Sequence, residues 1–231
     1  MTIKTDYLDQ VISINEYGVL YRALVGIDQV YATMADIMMQ AFLSVSDVCD
    51  MPLHANTYNK YINVWPQHKL SGEDCIKYRL LAKEGNEIEI NIYSPTIKVL
   101  YDDYLLPYHR IRKKLFDEKY SKPPITQGYI PPNQIMWMTS SGEPVKPNLV
   151  EEAFRQTGLN IKPSMLRHTG ITHTMRSHCY INKIAPHENM AARFSELLEY
   201  QLGYALSLNT TKMYIRTIMK CDTDFFRGSD S

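Results

Sequence analysis

Three histidines recur at five-residue intervals, His168, His173 and His178. Imidazoles at that density could hold a metal or move protons. On a helix, however, a five-residue step turns each side chain roughly 140° from the last, whereas zinc ligands of the HExxH type share one face. The four cysteines, Cys49, Cys75, Cys179 and Cys221, lie far apart and form no CxxC pair. That argues against structural zinc and suits reduced thiols. No Gly-rich phosphate loop of either standard spacing is present. The carboxylates are scattered, with no spacing that demands paired acid–base work. Neither a metal nor an organic cofactor is expected.

One region does gather reactive residue types at fixed spacing. It reads Ser164-Met165-Leu166-Arg167-His168-Thr169-Gly170-Ile171-Thr172-His173, then Leu202-Gly203-Tyr204, then Thr210-Thr211-Lys212-Met213-Tyr214. This order resembles the pattern of the tyrosine recombinase (phage integrase) family, HxLRHTxATH followed by LGH and then TTxxY. Trp137 to Val145 is similar to that family's lead-in loop, and Ala41 to Asp47 falls where the family has TGLRxSE. Lys83 falls where the family keeps the lysine of its hairpin. The resemblance covers roughly residues 25 to 220, and its motifs agree most closely after Pro163.

The resemblance implies a chemistry without metal. A tyrosine hydroxyl attacks the scissile phosphate of double-stranded DNA and leaves a 3′-phosphotyrosyl link, which the 5′-hydroxyl of another strand resolves. Guanidinium groups match the charge that develops on the non-bridging oxygens. Position by position, Tyr214 falls at the nucleophile, Arg167 at the second arginine, and Lys83 at the general acid. Three positions depart. Ser164 stands where the first histidine is expected, Tyr204 where the LGH histidine is expected, and Ser44 where the first arginine is expected. His168 matches a family histidine taken as structural. One lost oxyanion donor costs on the order of 10²–10³ in rate, and a lost transition-state arginine costs on the order of 10³–10⁵ in related phosphoryl chemistry. The three departures together would leave little rate. Arg22 and Arg193 are the conceivable substitutes, with no spacing argument for either.

Each of these residues also has a plainer reading. Tyr214 is one of 17 tyrosines, and a single helical tyrosine is usually packing. Arg167 alone would be a surface or salt-bridged residue, Lys83 a solvated turn lysine, and Ser164, after Pro163, a first-turn residue. His173 and His178 read as structural or surface positions.

The elements that must position these groups follow from periodicity. Val30 to Asp50 carries apolar residues at helical spacing and predicts one buried helix that Pro52 ends. Tyr61 to Trp65, Cys75 to Ala82 and Glu87 to Tyr93 read as strands, with a tight turn over Glu84-Gly85-Asn86. Ser94-Pro95 opens a helix through about Leu106. A basic helical piece follows, then a Pro-rich loop and the short apolar run Ile135 to Met138. Pro147 opens a helix through Gln156, and Pro163 opens the next, with helices continuing to Lys220. The layout is α+β and mostly helical, which under the resemblance is a tyrosine-recombinase catalytic domain with a small antiparallel sheet. Residues 1–25 are read as an entry segment, 26–220 as the catalytic domain and 221–231 as a tail.

Composition excludes some classes and leaves others open. Apolar residues make up 45% of 231, which is an ordinary globular content. Lys+Arg and Asp+Glu are 25 each, so the basic excess usual in nucleic-acid binders is absent, although a polarised surface can be neutral overall. The stretch from Arg110 to Lys122 is basic and is either a solvated helix face or a phosphate-contacting one. The N-terminus does not read as a signal peptide. Asp36 and Asp47 interrupt the most apolar stretch, so no membrane span is expected. A cytoplasmic protein encoded by a bacterium, phage or mobile element is expected, acting in DNA recombination or integration. Its partners would be double-stranded DNA and either further copies of itself or a partner recombinase. The alternative is an inactive family member that holds DNA or a recombinase without cutting. The family's N-terminal clamping domain has no counterpart in the 25 or so residues before the matched region. A fragment, a standalone catalytic half, or a clamp borrowed from a partner would each account for that.

Overall fold

The computed structural model describes residues 6–51, 75–81, 87–93, 100–119, 136–202 and 204–221. The expected strand Tyr61 to Trp65, the turn at 84–86, the helix start at Ser94-Pro95, the Pro-rich loop and the C-terminal tail beyond 221 lie outside the described residues. What is described is mostly helical.

Helix α1 spans Ile14–Ile27 and begins at a reciprocal cap: Ser13 accepts from the Glu16 amide, and the Glu16 carboxylate accepts from the Ser13 amide. Its Leu20 and Leu24 are fully buried in the same core as α2. Residue 25, the expected division, lies within this helix. Helix α2, Gln29–Gln40, is nearly encased; Val30, Ala32, Met34, Ala35, Ile37 and Met38 have no exposed surface.

The single helix expected from Val30 to Asp50 is broken at Ala41–Ser44. Phe42 adopts φ 57°, a left-handed value that stops a helix. The short helix α3, Val45–Cys49, then starts afresh on a second reciprocal cap between Ser44 and Asp47. Strands β1, Cys75–Leu81, and β2, Glu87–Tyr93, pair antiparallel with Cys75 opposite Tyr93 and Leu81 opposite Glu87. The β2 backbone runs beside the helix Ala191–Leu202.

From Leu100 to Lys119 the chain is continuously helical. Tyr101–His109 is π-helical and holds Pro107, and Arg110–Lys119 is helix α4. A proline removes one amide donor from a helix, and a π-helical turn relaxes the ladder around it. After it come α5, Pro147–Gln156, and α6, Pro163–Ile181, both with proline in the first turn. Helices α7, Ala191–Leu202, and α8, Leu208–Lys220, complete the chain.

Among the described residues, two apolar clusters make up the interior. The first joins α1, α2, α3, the π-helical segment, residues 136–154 and Leu166. The second joins Phe42, the later turns of α6, α7 and α8. Helix α6 runs through both, burying Leu166 in one and Ile171, Met175 and Cys179 in the other. A helix covered on several sides needs small residues where backbones cross. At Gly170 a Cβ would stand 1.8 Å from the Met39 carbonyl oxygen of α2.

One arginine of the basic stretch is committed inside the molecule. Arg112 is 5% exposed and donates to Asp28 at 2.6 Å and to the Met138 carbonyl at 2.7 Å. Its guanidinium also lies over the rings of Tyr104 and Tyr108. Lys113 pairs with Asp117, Lys114 with Glu118 and Lys119 with Glu143. Those lysine pairs are exposed and weak. Among the described residues, the best-held arginine of this stretch is a strut between α4 and the start of α2.

A second polar group lies between α1 and α2. Asp36 accepts from the Tyr17 hydroxyl, with Asp103 and Tyr21 nearby. Burial, which outweighs the Tyr17 hydrogen bond, pushes the Asp36 carboxyl up to about 6 from an ordinary 3.8. A folded-state value above the unfolded one favours folding while the group is protonated. That contribution is complete below about 4 and is lost as pH rises through 6. Asp36→Asn, which keeps an acceptor for Tyr17, is therefore expected to be more stable than the parent at pH 7 by about 1–3 kcal/mol. The gap should close by pH 4. Urea unfolding at the two pH values checks this, and an equal gap at both would refute it.

Candidate functional site

Helix α6 presents Arg167 and His168 in its second turn, and α8 presents Tyr214 in its middle. Proline in the first turn fixes the start of α6. The Ser207 hydroxyl, which accepts from the Thr210 amide at 3.1 Å, fixes the start of α8. Thr211 and Thr217 hydroxyls turn back to carbonyls of their own helix or its cap, to Ser207 and Met213, so they keep α8 internally satisfied.

Three of the five sequence-derived candidates converge here. The Tyr214 hydroxyl lies 2.8 Å from His168 Nδ1. With Nδ1 unprotonated, the hydroxyl donates to it. Arg167 donates to the Tyr204 hydroxyl and places its guanidinium carbon 5.8 Å from the centre of the Tyr204 ring. The charge of Arg167 reaches Tyr214 and opposes the rise in its pKa. Burial wins nonetheless: it is the largest cause, seconded by the neighbouring Tyr7, and holds the Tyr214 hydroxyl well above the ordinary phenol value. Tyr214 is 2% exposed, and Tyr204 is 38% exposed. The site thus has an outer edge, Tyr204 with Arg167, and an inner hydroxyl with a proton acceptor beside it.

The remaining candidates stand elsewhere. Ser164 sits one turn before Arg167 and His168 on α6, exposed, and lines a cavity of about 430 Å³ with Val45, Phe154, Arg155 and Lys162. Lys83 lies outside the described residues. Ser44, in the position of the expected first arginine, spends its hydroxyl on the α3 cap. His168, read from sequence as structural, is the group in direct contact with the tyrosine hydroxyl. Its place inside the Leu166-Arg167-His168-Thr169 run was the available signal. Tyr7 was missed altogether: its ring stacks on His168 at 4.4 Å between centroids and lies 4.5 Å from that of Tyr214.

The other two histidines of the series face the interior. Burial lowers the His173 pKa. His178 packs edge-on against Phe194, 5.6 Å between ring centres, and its Nε2 is buried with no hydrogen-bond partner. Among the described residues no group of three His, Cys, Asp or Glu side chains has the arrangement of a metal site, and no helix is long and apolar enough to cross a membrane.

Compared with family models, with curated proteins and with solved structures, the chain matches none.

Proposed function

We propose that this chain is a DNA strand-exchange catalytic domain of the tyrosine recombinase kind, with Tyr214 as nucleophile. The observation that carries the reading is the meeting of Tyr214, His168, Arg167 and Tyr204, which come from α6, α8 and the loop between α7 and α8. A phenol is a weak nucleophile until its proton leaves. His168 Nδ1 is in hydrogen-bond reach of that proton. In the proposed step the Tyr214 oxygen bonds to phosphorus and its proton passes to His168. The bond from phosphorus to the 5′-oxygen breaks, and that oxygen takes a proton from Lys83, the role its place in the resemblance implies. Arg167 stabilises charge on the non-bridging oxygens, and Tyr204 holds the guanidinium in place and offers its own hydroxyl.

The partners under this reading are double-stranded DNA and either further copies of the chain or a partner recombinase. The proposed setting is the cytoplasm of a bacterium or a phage-infected cell, in the integration or recombination of a mobile element. The small antiparallel sheet of the family would be built on the β1–β2 pair.

A second reading has specific support: an inactive relative that grips DNA or a recombinase. Tyr214 is almost fully covered, and the Ser44 hydroxyl is occupied by the α3 cap. Nicked suicide DNA separates the two. Under the first reading the parent chain forms a detergent-resistant DNA adduct, Tyr214→Phe forms none, and Arg167→Ala forms it on the order of 10²–10³ more slowly. If the parent forms none yet retards DNA in a gel, the second reading holds. No DNA affinity at low salt would overturn both.

A further inference from the structure

Attack on phosphorus requires the Tyr214 oxygen to come within about 3–3.5 Å of it, and a side chain that is 2% exposed cannot meet a DNA phosphate. Part of what covers it is Tyr7, packed on the second core cluster. Tyr7 lays its ring on both members of the pair, at 25° to His168 and 32° to Tyr214. The Tyr7 amide donates to Thr217 Oγ1 at 2.8 Å, on the α8 turn that follows Tyr214. The Ile12 amide donates to Thr169 Oγ1 at 3.1 Å, next to His168 on α6. Between these points the chain makes one short 3₁₀ turn, Leu8–Gln10, none of whose residues is buried.

The two ends of this segment are held very differently. Ile12 is 2% exposed and belongs to the first core cluster, so that end is fixed. The other end is held by the Tyr7 amide bond and ring contacts and by an ion pair between Asp6 and Lys220, whose side chains are 16% and 52% exposed. An ion pair with one partner open to water is weak and yields to salt or to a competing anion. A phosphate chain approaching α8 would compete with Asp6 for Lys220.

From this geometry we infer that residues 6–10 form a releasable cover over the Tyr214–His168 pair, hinged at Ile12 and latched by Asp6 on Lys220, so that the structure is the closed state. The inference rests on the proposed reading of Tyr214 as nucleophile. Its physical content, however, is the accessibility of one hydroxyl, which can be measured without DNA.

Nitration of the intact protein by tetranitromethane, mapped by peptide mass, reads that accessibility. Tyr180, 71% exposed, serves as internal reference. Tyr7→Ala, which removes the cover's ring, should raise the Tyr214 rate relative to Tyr180 by about tenfold. Asp6→Lys, which repels Lys220 and leaves the rings intact, should raise it as well. Asp6→Lys with Lys220→Asp restores an ion pair of opposite sense and should return the rate to that of the parent. That double exchange keeps the test valid if Tyr7→Ala does not fold. Unchanged Tyr214 nitration in Asp6→Lys overturns the cover, as does a raised rate that the double exchange fails to reverse. The same variants on nicked DNA separate the two ideas. Raised nitration with faster adduct formation supports both, and raised nitration with no adduct in any variant leaves the cover standing and removes the nucleophile.

Discussion

Asp28→Ala is expected to destabilise the fold by about 3–5 kcal/mol, the cost of stranding a buried charge. Asp28 sits at the joint between α1 and α2, 8% exposed. One carboxylate oxygen accepts from the Val30 amide at 3.1 Å, capping α2, and from Arg112 at 2.6 Å. The other accepts from the Ser140 amide at 2.6 Å. One side chain thus ties together α2, α4 and the loop before α5. Removing it leaves Arg112, 5% exposed, with the Met138 carbonyl, Tyr104 and Tyr108 and no carboxylate among the described residues. At this chain length each kcal/mol shifts the melting temperature by roughly 2–4 °C, so calorimetry should find a fall of about 10 °C. Arg112→Met in the Asp28→Ala background should recover much of it, because the uncompensated charge is gone. A loss under about 1 kcal/mol in the single variant would mean that the pair is solvated in solution.

That pair also marks where sequence reading stops. From sequence, Arg110 to Lys122 is a run of cations, and its choice between water and phosphate looked open. Its arginine at 112 turned inward because an aspartate 84 positions away was brought to it, and nothing local announces such a partner. Elements with local signals fared better. Pro147 and Pro163 mark the starts of α5 and α6 because proline suits a first helical turn and little else within a helix. Apolar spacing found α2 but ran on through Ala41–Ser44. The Ser44-to-Asp47 cap that restarts the chain was legible, and so was the Ser13-to-Glu16 cap that opens α1. Apolar periodicity does not register such caps.

The candidate site divides along the same line. Arg167, Tyr204 and Tyr214 stand out through the resemblance, and the fold puts Arg167 on Tyr204 and Tyr214 on His168. His168 reads from sequence as structural, since sequence cannot say which ring atom touches which hydroxyl. Tyr7 could not have been found: the bond from its amide to Thr217 spans 210 positions, and no periodicity relates the two ends of a chain. Covalent strand exchange and its inactive alternative differ in how accessible Tyr214 is, so the residue invisible to sequence is the one that bears most directly on choosing between them.

Gly170→Ala is expected to cost about 3 kcal/mol or more, at or above the upper end of the usual range for overpacking. The added carbon would lie 1.8 Å from the Met39 carbonyl oxygen, 2.9 Å from its carbon and 3.1 Å from Phe42 Cδ1. Two of those three atoms are backbone. A side chain can rotate away, but a carbonyl at the end of α2 can move only with its helix, and α2 is encased in the first core cluster. Either α6 and α2 separate or the substituted chain fails to fold. Trimming the neighbours distinguishes a backbone clash from a side-chain one. Met39→Ala should give no rescue, because the offending atoms remain, and Phe42→Leu should relieve the least of the three contacts. Full rescue by either would show that the helices have slack. The consequence reaches the site, since Arg167 and His168 lie within one turn of Gly170 on the same helix. A displaced α6 carries His168 Nδ1 away from the 2.8 Å contact with Tyr214. Where Gly170→Ala still folds, its Tyr214 nitration should therefore rise relative to Tyr180 even with Asp6 and Tyr7 intact.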